Sequence, residues 1–349
     1  MEDETISLRQ RMVLFGVALL APACELLPGF VARQAGRGGW LAALCALPVA
    51  LVALWAAEGV GAAGGERRTL GRGTDTALVV IYLAWTLLDL ALALRLCAER
   101  LAVIYGAGPA LGCTGALLAV AVWMGLGKRA ALARAGEVFY LALAVALGGV
   151  LLLSAGHVEG ENLDLSLSEA ASLPGCGLWM AGLLLNLLPA AGLGRGQHQA
   201  GDGKRAVKWI LAFAAAITLL LAAVMGCLGP KLTASLSAPF LTMVQGLGVQ
   251  GAFQRTEALV SALWTLSDLI LISLLLHTWR GLACRLRRGA WSRWSVLPAA
   301  AAGVALGWTV FADGAAARGF SQTVLPVLGL ALGLAVPLLA RLFYSIRKR

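Results

Sequence analysis

Residues 11–36 read RMVLFGVALLAPACELLPGFVARQAG, an apolar run long enough to cross a bilayer and interrupted near its middle. Pro22, Pro28 and Gly29 disfavour a regular helix there, and Glu25 places an ionisable group among them. Proline removes a ladder donor and crowds the preceding turn. Lipid offers no partner to backbone groups freed by such a break, so broken spans occur where protein or a polar cavity surrounds them. The segment from Ala21-Pro22 to Pro28-Gly29 is therefore expected to be a discontinuous helix beside a polar site. A second apolar segment, 175–194, carries Asn186, Pro189 and Gly192 near its middle and opens the second half of the chain. Interruptions at matching places in two halves are a sequence pointer to a transporter-type binding site.

The rest of the chain is equally apolar. Of 349 residues 60% are hydrophobic and 13% charged, with a mean hydropathy of +0.83. That balance excludes a soluble globular domain and places most of the chain in lipid. Met1 to Gln10 is polar and acidic with no signal-peptide pattern, so the N-terminus is expected to be retained. The seven cysteines form no CxxC pair and lie mostly in or beside apolar stretches, where they read as small core residues. The histidines at 157, 198 and 277 share no ligand spacing, so neither a metal nor a cofactor is expected. No GxSxG, HExxH, Walker A or dinucleotide fingerprint stands in a suitable context, and no catalytic residue is expected.

Ten apolar spans of roughly the ~20 residues needed to cross a bilayer are expected, at about 11–35, 38–57, 76–104, 108–126, 137–155, 175–194, 207–229, 255–279, 295–312 and 321–344. They form one polytopic domain over residues 1–349. Of the 28 basic residues, twenty-one fall at the termini and in alternate connections, against five in the opposite set. By the positive-inside rule both termini are cytoplasmic. The net charge of +10 is thus topological and does not imply nucleic acid.

Ionisable residues inside spans are costly and mark function by default. On span three, Tyr82, Trp85 and Asp89 share a helical face, and Arg95 with Glu99 forms an i, i+4 pair. On span eight, Glu257, Ser261, Trp264 and Asp268 make one polar stripe, expected to face protein. Glu25, Asp89, Asn186 and Asp268 all fall near mid-depth, so four spans are expected to bring polar groups to one level. Binding and permeation are the chemistry such a place supports. Freed N–H groups of span one would hold a substrate carboxylate. Glu25 or Asp89 would hold an ammonium or a coupling cation, and Trp85 and Trp264 would close over its apolar part.

Several stretches resemble one family. Ile6-Ser7-Leu8-Arg9-Gln10 is similar to the Ile-Ser-x-x-Gln opening of the spore germination permeases, the B subunits of nutrient germinant receptors. Leu27-Pro28-Gly29, Ala35-Gly36 and Trp40 resemble that family's first helix and its exit. GLGKRAALARAGEVF (125–139) resembles the link between its helices four and five, and FQRTEALVSALW (253–264), with Arg255 and Glu257, resembles the signature opening its helix eight. Asn162-Leu163 and Ala238-Pro239-Phe240 fall where the family has similar residues. The resemblance implies an amino acid–polyamine–organocation type (LeuT-like) fold. Two inverted five-helix repeats, about 11–155 and 175–344, would have broken helices 1 and 6. It also implies residence in the inner spore membrane, A-type and C-type receptor subunits as partners, and a small nutrient ligand. Cys24-Glu25 at the first interruption departs from the expected pattern.

Three readings follow: a germinant-sensing subunit that binds a small nutrient such as an amino acid, a free-standing ion-coupled transporter of such solutes, and an assembly subunit with a vestigial pocket.

Overall fold

The computed structural model describes residues 6–62, 72–187, 202–247, 256–286 and 293–347. Among them there are helices and no strand. In chain order the helices are α1 (Leu8–Ala35), α2 (Ala42–Ala62), α3 (Arg72–Tyr105), α4 (Ala107–Leu126), α5 (Arg129–Ser154), α6 (Leu167–Leu185), α7 (Asp202–Leu228) and the short α8 (Pro230–Ser235) and α9 (Pro239–Gly246). They continue with α10 (Thr256–Leu286), α11 (Val296–Thr309), α12 (Gly314–Gly329), a π-helical turn over Leu330–Ala335, and α13 (Val336–Arg347).

Among the described residues seven segments are long and apolar enough to cross a membrane, the first of which, Leu8–Ala57, holds α1 and most of α2. Glu169–Leu185 and Val296–Thr309 are shorter apolar helices. The chain is an all-α, multi-pass membrane protein. Lipid-facing surface is plain on α5, where Val138, Leu141, Val145 and Leu152 are all at least two-thirds exposed and recur at +3, +4 and +7. Such a stripe of bare aliphatics is tolerated where the solvent is hydrocarbon. The inner helices are α10 and α3, whose most apolar stretches are 67% and 56% buried, against 17% for α5.

Pairwise packing follows a pattern. α3 packs on α10, and α2 on α7. α1 packs on α5 as α6 packs on α12, α4 on α10 as α11 on α3, and α2 on α6 as α7 on α1. α3 and α10 run antiparallel: Asp75 meets Arg285 near one end, Arg100 meets Asp268 further along, and Tyr105 meets Ser261 at the other at 2.6 Å.

The first helix corrects an expectation. α1 is continuous from Leu8 to Ala35 with Pro22 and Pro28 inside it. Each proline costs one ladder bond, at the carbonyls of Ala18 and Cys24 respectively, and Ala and Leu neighbours of high helix propensity carry the helix across. Just before Pro22 a side chain supports the ladder: the Ser267 hydroxyl accepts from Ala21 N–H at 2.8 Å and donates to the Val17 carbonyl at 2.6 Å. A hydroxyl from α10 thus bridges one turn of α1, a known way to open a helix without breaking it. The second expected break is placed differently. α6 begins at Leu167 and ends at Leu185, Asn186 and Leu187 form a turn, and Pro189 and Gly192 lie outside the described residues.

Several motif residues hold this frame. Ser7 and Gln10 form a capping box on α1, each side chain bonded to the other's N–H at 3.2 and 3.1 Å, so the Ser-x-x-Gln opening is a helix-start signal. Ser166 and Glu169 make the same box on α6. Trp40 donates its Nε1–H to the Leu163 carbonyl at 3.2 Å. Arg255 and the Glu257 side chain lie outside the described residues.

α6 and α12 cross at backbone contact. A methyl on Gly182 would collide with the Pro326 carbonyl, and one on Gly329 with the Gly182 carbonyl. Gly182→Ala should therefore force the helices apart and lower stability by ~1–3 kcal/mol. Gly175→Ala on the same helix meets nothing within 4 Å and should gain ~0.5–1 kcal/mol from helix propensity. Thermal unfolding of the two variants in one detergent reads this as opposite shifts. A Gly182→Ala midpoint at or above wild type would refute the close crossing.

Candidate functional site

The sequence-nominated residues fall into two groups on α3 rather than one level. Asp89 and Arg100 are eleven residues apart, about 16 Å along the helix axis at 1.5 Å per residue. Both lie on the face that includes Trp85, Ala93 and Leu96, with steps of three and four residues.

The first group is a buried charge triad. Arg100, which sequence reading left without a role, is 3% exposed. Its Nε–H donates to Asp268 Oδ2 at 3.0 Å, its Nη2 to Asp268 Oδ1 and its Nη1 to Glu25 Oε2. The guanidinium thus grips Asp268 with two parallel bonds and Glu25 with one, joining α1, α3 and α10. The Cys97 thiol, a turn back on α3, lies beside Asp268. One cation faces two carboxylates, an excess of one negative charge when both are ionised. Charges taken out of water must be compensated in this way, because leaving either carboxylate alone costs several kcal/mol. Further bonds join the same helices: Ser267 of α10 to the backbone of α1, and Tyr105 of α3 to Ser261 of α10. Arg95 and Glu99 form the expected pair at 2.9 Å, with Arg95 also 5.6 Å from the Trp308 ring and bonded to the Ala312 carbonyl. That pair pins α3 to the region around α11 and takes no part in the triad.

The second group borders a cavity of about 60 Å³. Pro22 and Leu26 of α1, Leu275 of α10 and Leu325 of α12 line it, and its polar wall is Asp89 and Asn186. Asp89 is 5% exposed and accepts from Asn186 Nδ2 at 3.0 Å. Among the described residues no cation pairs with it. Asn186 Oδ1 is buried without a partner among the described residues, as is Trp85 Nε1 one turn before Asp89. Buried polar atoms are nearly always bonded to protein or to something held there. Beyond the Asn186 amide bond, the Asp89 carboxylate and the Asn186 amide oxygen are acceptors on a largely apolar wall with no further protein donor among the described residues. Pro22 adds a third feature to this wall: having no N–H, it leaves the Ala18 carbonyl without its usual helical donor.

The remaining nominated residues are placed around these groups. Tyr82 is buried and donates to the Leu332 carbonyl at 3.1 Å, inside the π-helical turn. Trp264 is 1% exposed with no partner for Nε1 among the described residues, and with Ser261 and Asp268 it forms the expected protein-facing stripe. Pro28 is buried in α1, and Gly29 approaches the Thr233 carbonyl of α8. They pack α1 and do not line the cavity.

Compared with known proteins, the chain matches no protein-family model and no curated sequence.

Proposed function

We propose that this chain is a permease-like membrane protein that binds the ammonium group of a small nutrient, an amino acid or a simple amine, at the Asp89–Asn186 cavity. The observation that carries this reading is Asp89, a buried carboxylate on a cavity wall with no cation among the described residues. An ammonium is the group that answers two unmatched acceptors, because it brings three donors and the missing charge. A cavity of about 60 Å³ takes that head group, at ~10–15 Å³ per water-sized probe. The remainder of an amino acid requires its apolar walls to separate, which takes helix movement.

The finer architecture belongs to the same proposal. Counting α1 and α2 separately, and adding the two shorter apolar helices, the crossings come to ten, with both termini cytoplasmic. Several packing correspondences support two inverted repeats of five, since those helix pairs match when each crossing is exchanged for the one five further on, although the packing of α1 on α10 has no counterpart in α6 on α3 among the described residues. The two capping boxes open crossings one and six. With the motif resemblances, this supports a spore germination permease, a receptor subunit of the inner spore membrane working with A-type and C-type partners. A free-standing transporter is the second reading, favoured by the surplus carboxylate of the triad, which would accept a proton or a cation as coupling charge.

The test is equilibrium binding of radiolabelled amino acids and amines to the purified chain, followed by affinity capture from spore membranes. Saturable binding of an amine-bearing solute, with two further subunits recovered in near-equal amount, is the expected result. Binding only of solutes that lack an amino group would refute the site. Recovery of the chain alone, with counterflow uptake in proteoliposomes, would replace the receptor by the transporter.

A further inference from the structure

An α-amino acid carries a carboxylate on the carbon next to its ammonium, and inside the Asp89 cavity that carboxylate needs donors of its own. The N–H groups of a broken first helix would supply them, but α1 does not break. Its N–H groups at the cavity are occupied or missing. Pro22, on the wall, has none, Ala21 N–H is held by the Ser267 hydroxyl at 2.8 Å, and the others bond carbonyls one turn back in a continuous helix. Apart from Asp89 and Asn186 the lining side chains are apolar. Asn186 Nδ2 donates to Asp89 at 3.0 Å, and the Trp85 indole N–H, one turn before Asp89, is a neutral donor. Arg100, further along α3, is bonded to Glu25 and Asp268. Beyond Leu187, which also lines the cavity, the chain runs from Leu188 to Gly194 without an ionisable side chain.

Charge then separates the ligand classes. With an alkylammonium bound, Asp89 and the ligand form a neutral ion pair. With a zwitterion the ligand's own carboxylate is left over. Either Asp89 keeps its charge and an apolar hollow holds net negative charge, or Asp89 takes a proton and the ion pair is lost; both are costly. We infer, on the ammonium reading of Asp89, that the site selects a primary alkyl monoamine, a cation with an aliphatic body and no carboxylate, over the corresponding amino acid. Leu26, Leu92, Leu275 and Leu325 receive the body. A diamine of similar length would set its second ammonium against these leucines and is rejected on the same ground. Size points the same way, because a ligand without the carboxylate requires less separation of the walls around a hollow of about 60 Å³.

The experiment is equilibrium binding of radiolabelled isopentylamine, which is leucine without its carboxylate, to the full-length purified protein. Leucine, leucinamide and 1,5-diaminopentane compete against it. Sodium chloride and potassium chloride are both used, because a metal cation bound beside a zwitterion would restore neutrality. Wild type should prefer isopentylamine to leucine by ~30-fold or more, the cost of an uncompensated buried charge. Leucinamide, which keeps the carbonyl without its charge, should fall close to the amine, and 1,5-diaminopentane should compete weakly. Leucine as tight as isopentylamine in either salt, with both lost in Asp89→Asn, would overturn the selection while leaving the ammonium site standing; 1,5-diaminopentane as tight as isopentylamine would overturn the monoamine class. Leucinamide as weak as leucine would overturn charge as the cause, in favour of bulk at that carbon. Isopentylamine binding unchanged in Asp89→Asn, or no saturable binding of any probe, would overturn the ammonium site and the selection with it.

Discussion

Arg100→Met should be the most damaging single substitution in the protein, lowering stability by ~3–5 kcal/mol and its abundance in membranes accordingly. The side chain removed is nonpolar-compatible in size, so the loss is not one of packing. It leaves Glu25 and Asp268, both at most 5% exposed, as adjacent carboxylates without the guanidinium that bonds both, in a low-dielectric interior. The partners are unequal. Asp268 takes two of the three guanidinium bonds and Glu25 one, so Asp268→Asn should cost more than Glu25→Gln. The triple variant Arg100→Met/Glu25→Gln/Asp268→Asn removes every charge together and should recover most of what Arg100→Met loses, because a buried ion cluster replaced as a unit is often neutral in stability. Thermal midpoints in one detergent and membrane abundance measure all four proteins. Arg100→Met as stable as wild type, or a triple variant no better than the single, would mean that the triad is not the lock joining α1, α3 and α10.

That triad also marks where sequence reasoning stopped. The all-helical, apolar character of the chain and the protein-facing stripe of Ser261, Trp264 and Asp268 were legible because hydropathy and 3.6-residue periodicity report burial directly. Arg95–Glu99 was legible because i, i+4 pairing is local. Arg100 was not, since its partners lie 75 and 168 residues away and no local pattern encodes them. A charge count held the missing signal: Glu25 and Asp268, if buried, needed a cation from inside the membrane, and Arg100 was the remaining one in span three. The continuity of α1 was illegible for a related reason. Pro22 and Pro28 argue for a break on local grounds, while the support comes from Ser267, 250 residues away from Val17 along the chain. Depth was misjudged because residues were levelled by distance from span ends, whereas the antiparallel pairing of α3 and α10 sets Asp268 against Arg100 and leaves Asp89 a separate layer.

Asp89→Asn should abolish ligand binding while leaving the empty protein as stable as wild type or more so. The two effects have opposite signs for one reason. With the cavity empty, Asp89 is a buried carboxylate bonded to the Asn186 amide and to no cation among the described residues, an arrangement that burial penalises. An asparagine keeps the shape, can still accept from Asn186 Nδ2, and carries no charge to desolvate. With an ammonium present the balance reverses, since the asparagine offers no charge and the ligand's own becomes the unpaired one. Truncating one side of a buried hydrogen-bonded charge pair costs ~2–5 kcal/mol, roughly 30-fold or more in affinity. Asn186→Leu should weaken binding less, through loss of the second acceptor alone, and should not stabilise, because it strips Asp89 of its one bonded partner. Binding isotherms and thermal midpoints on the same preparations separate this from a structural role. If Asp89 serves only to anchor the end of α6 through Asn186, then Asp89→Asn changes stability and leaves affinity untouched. An increase in stability together with a collapse in affinity is the signature of a carboxylate held in reserve for a ligand's charge.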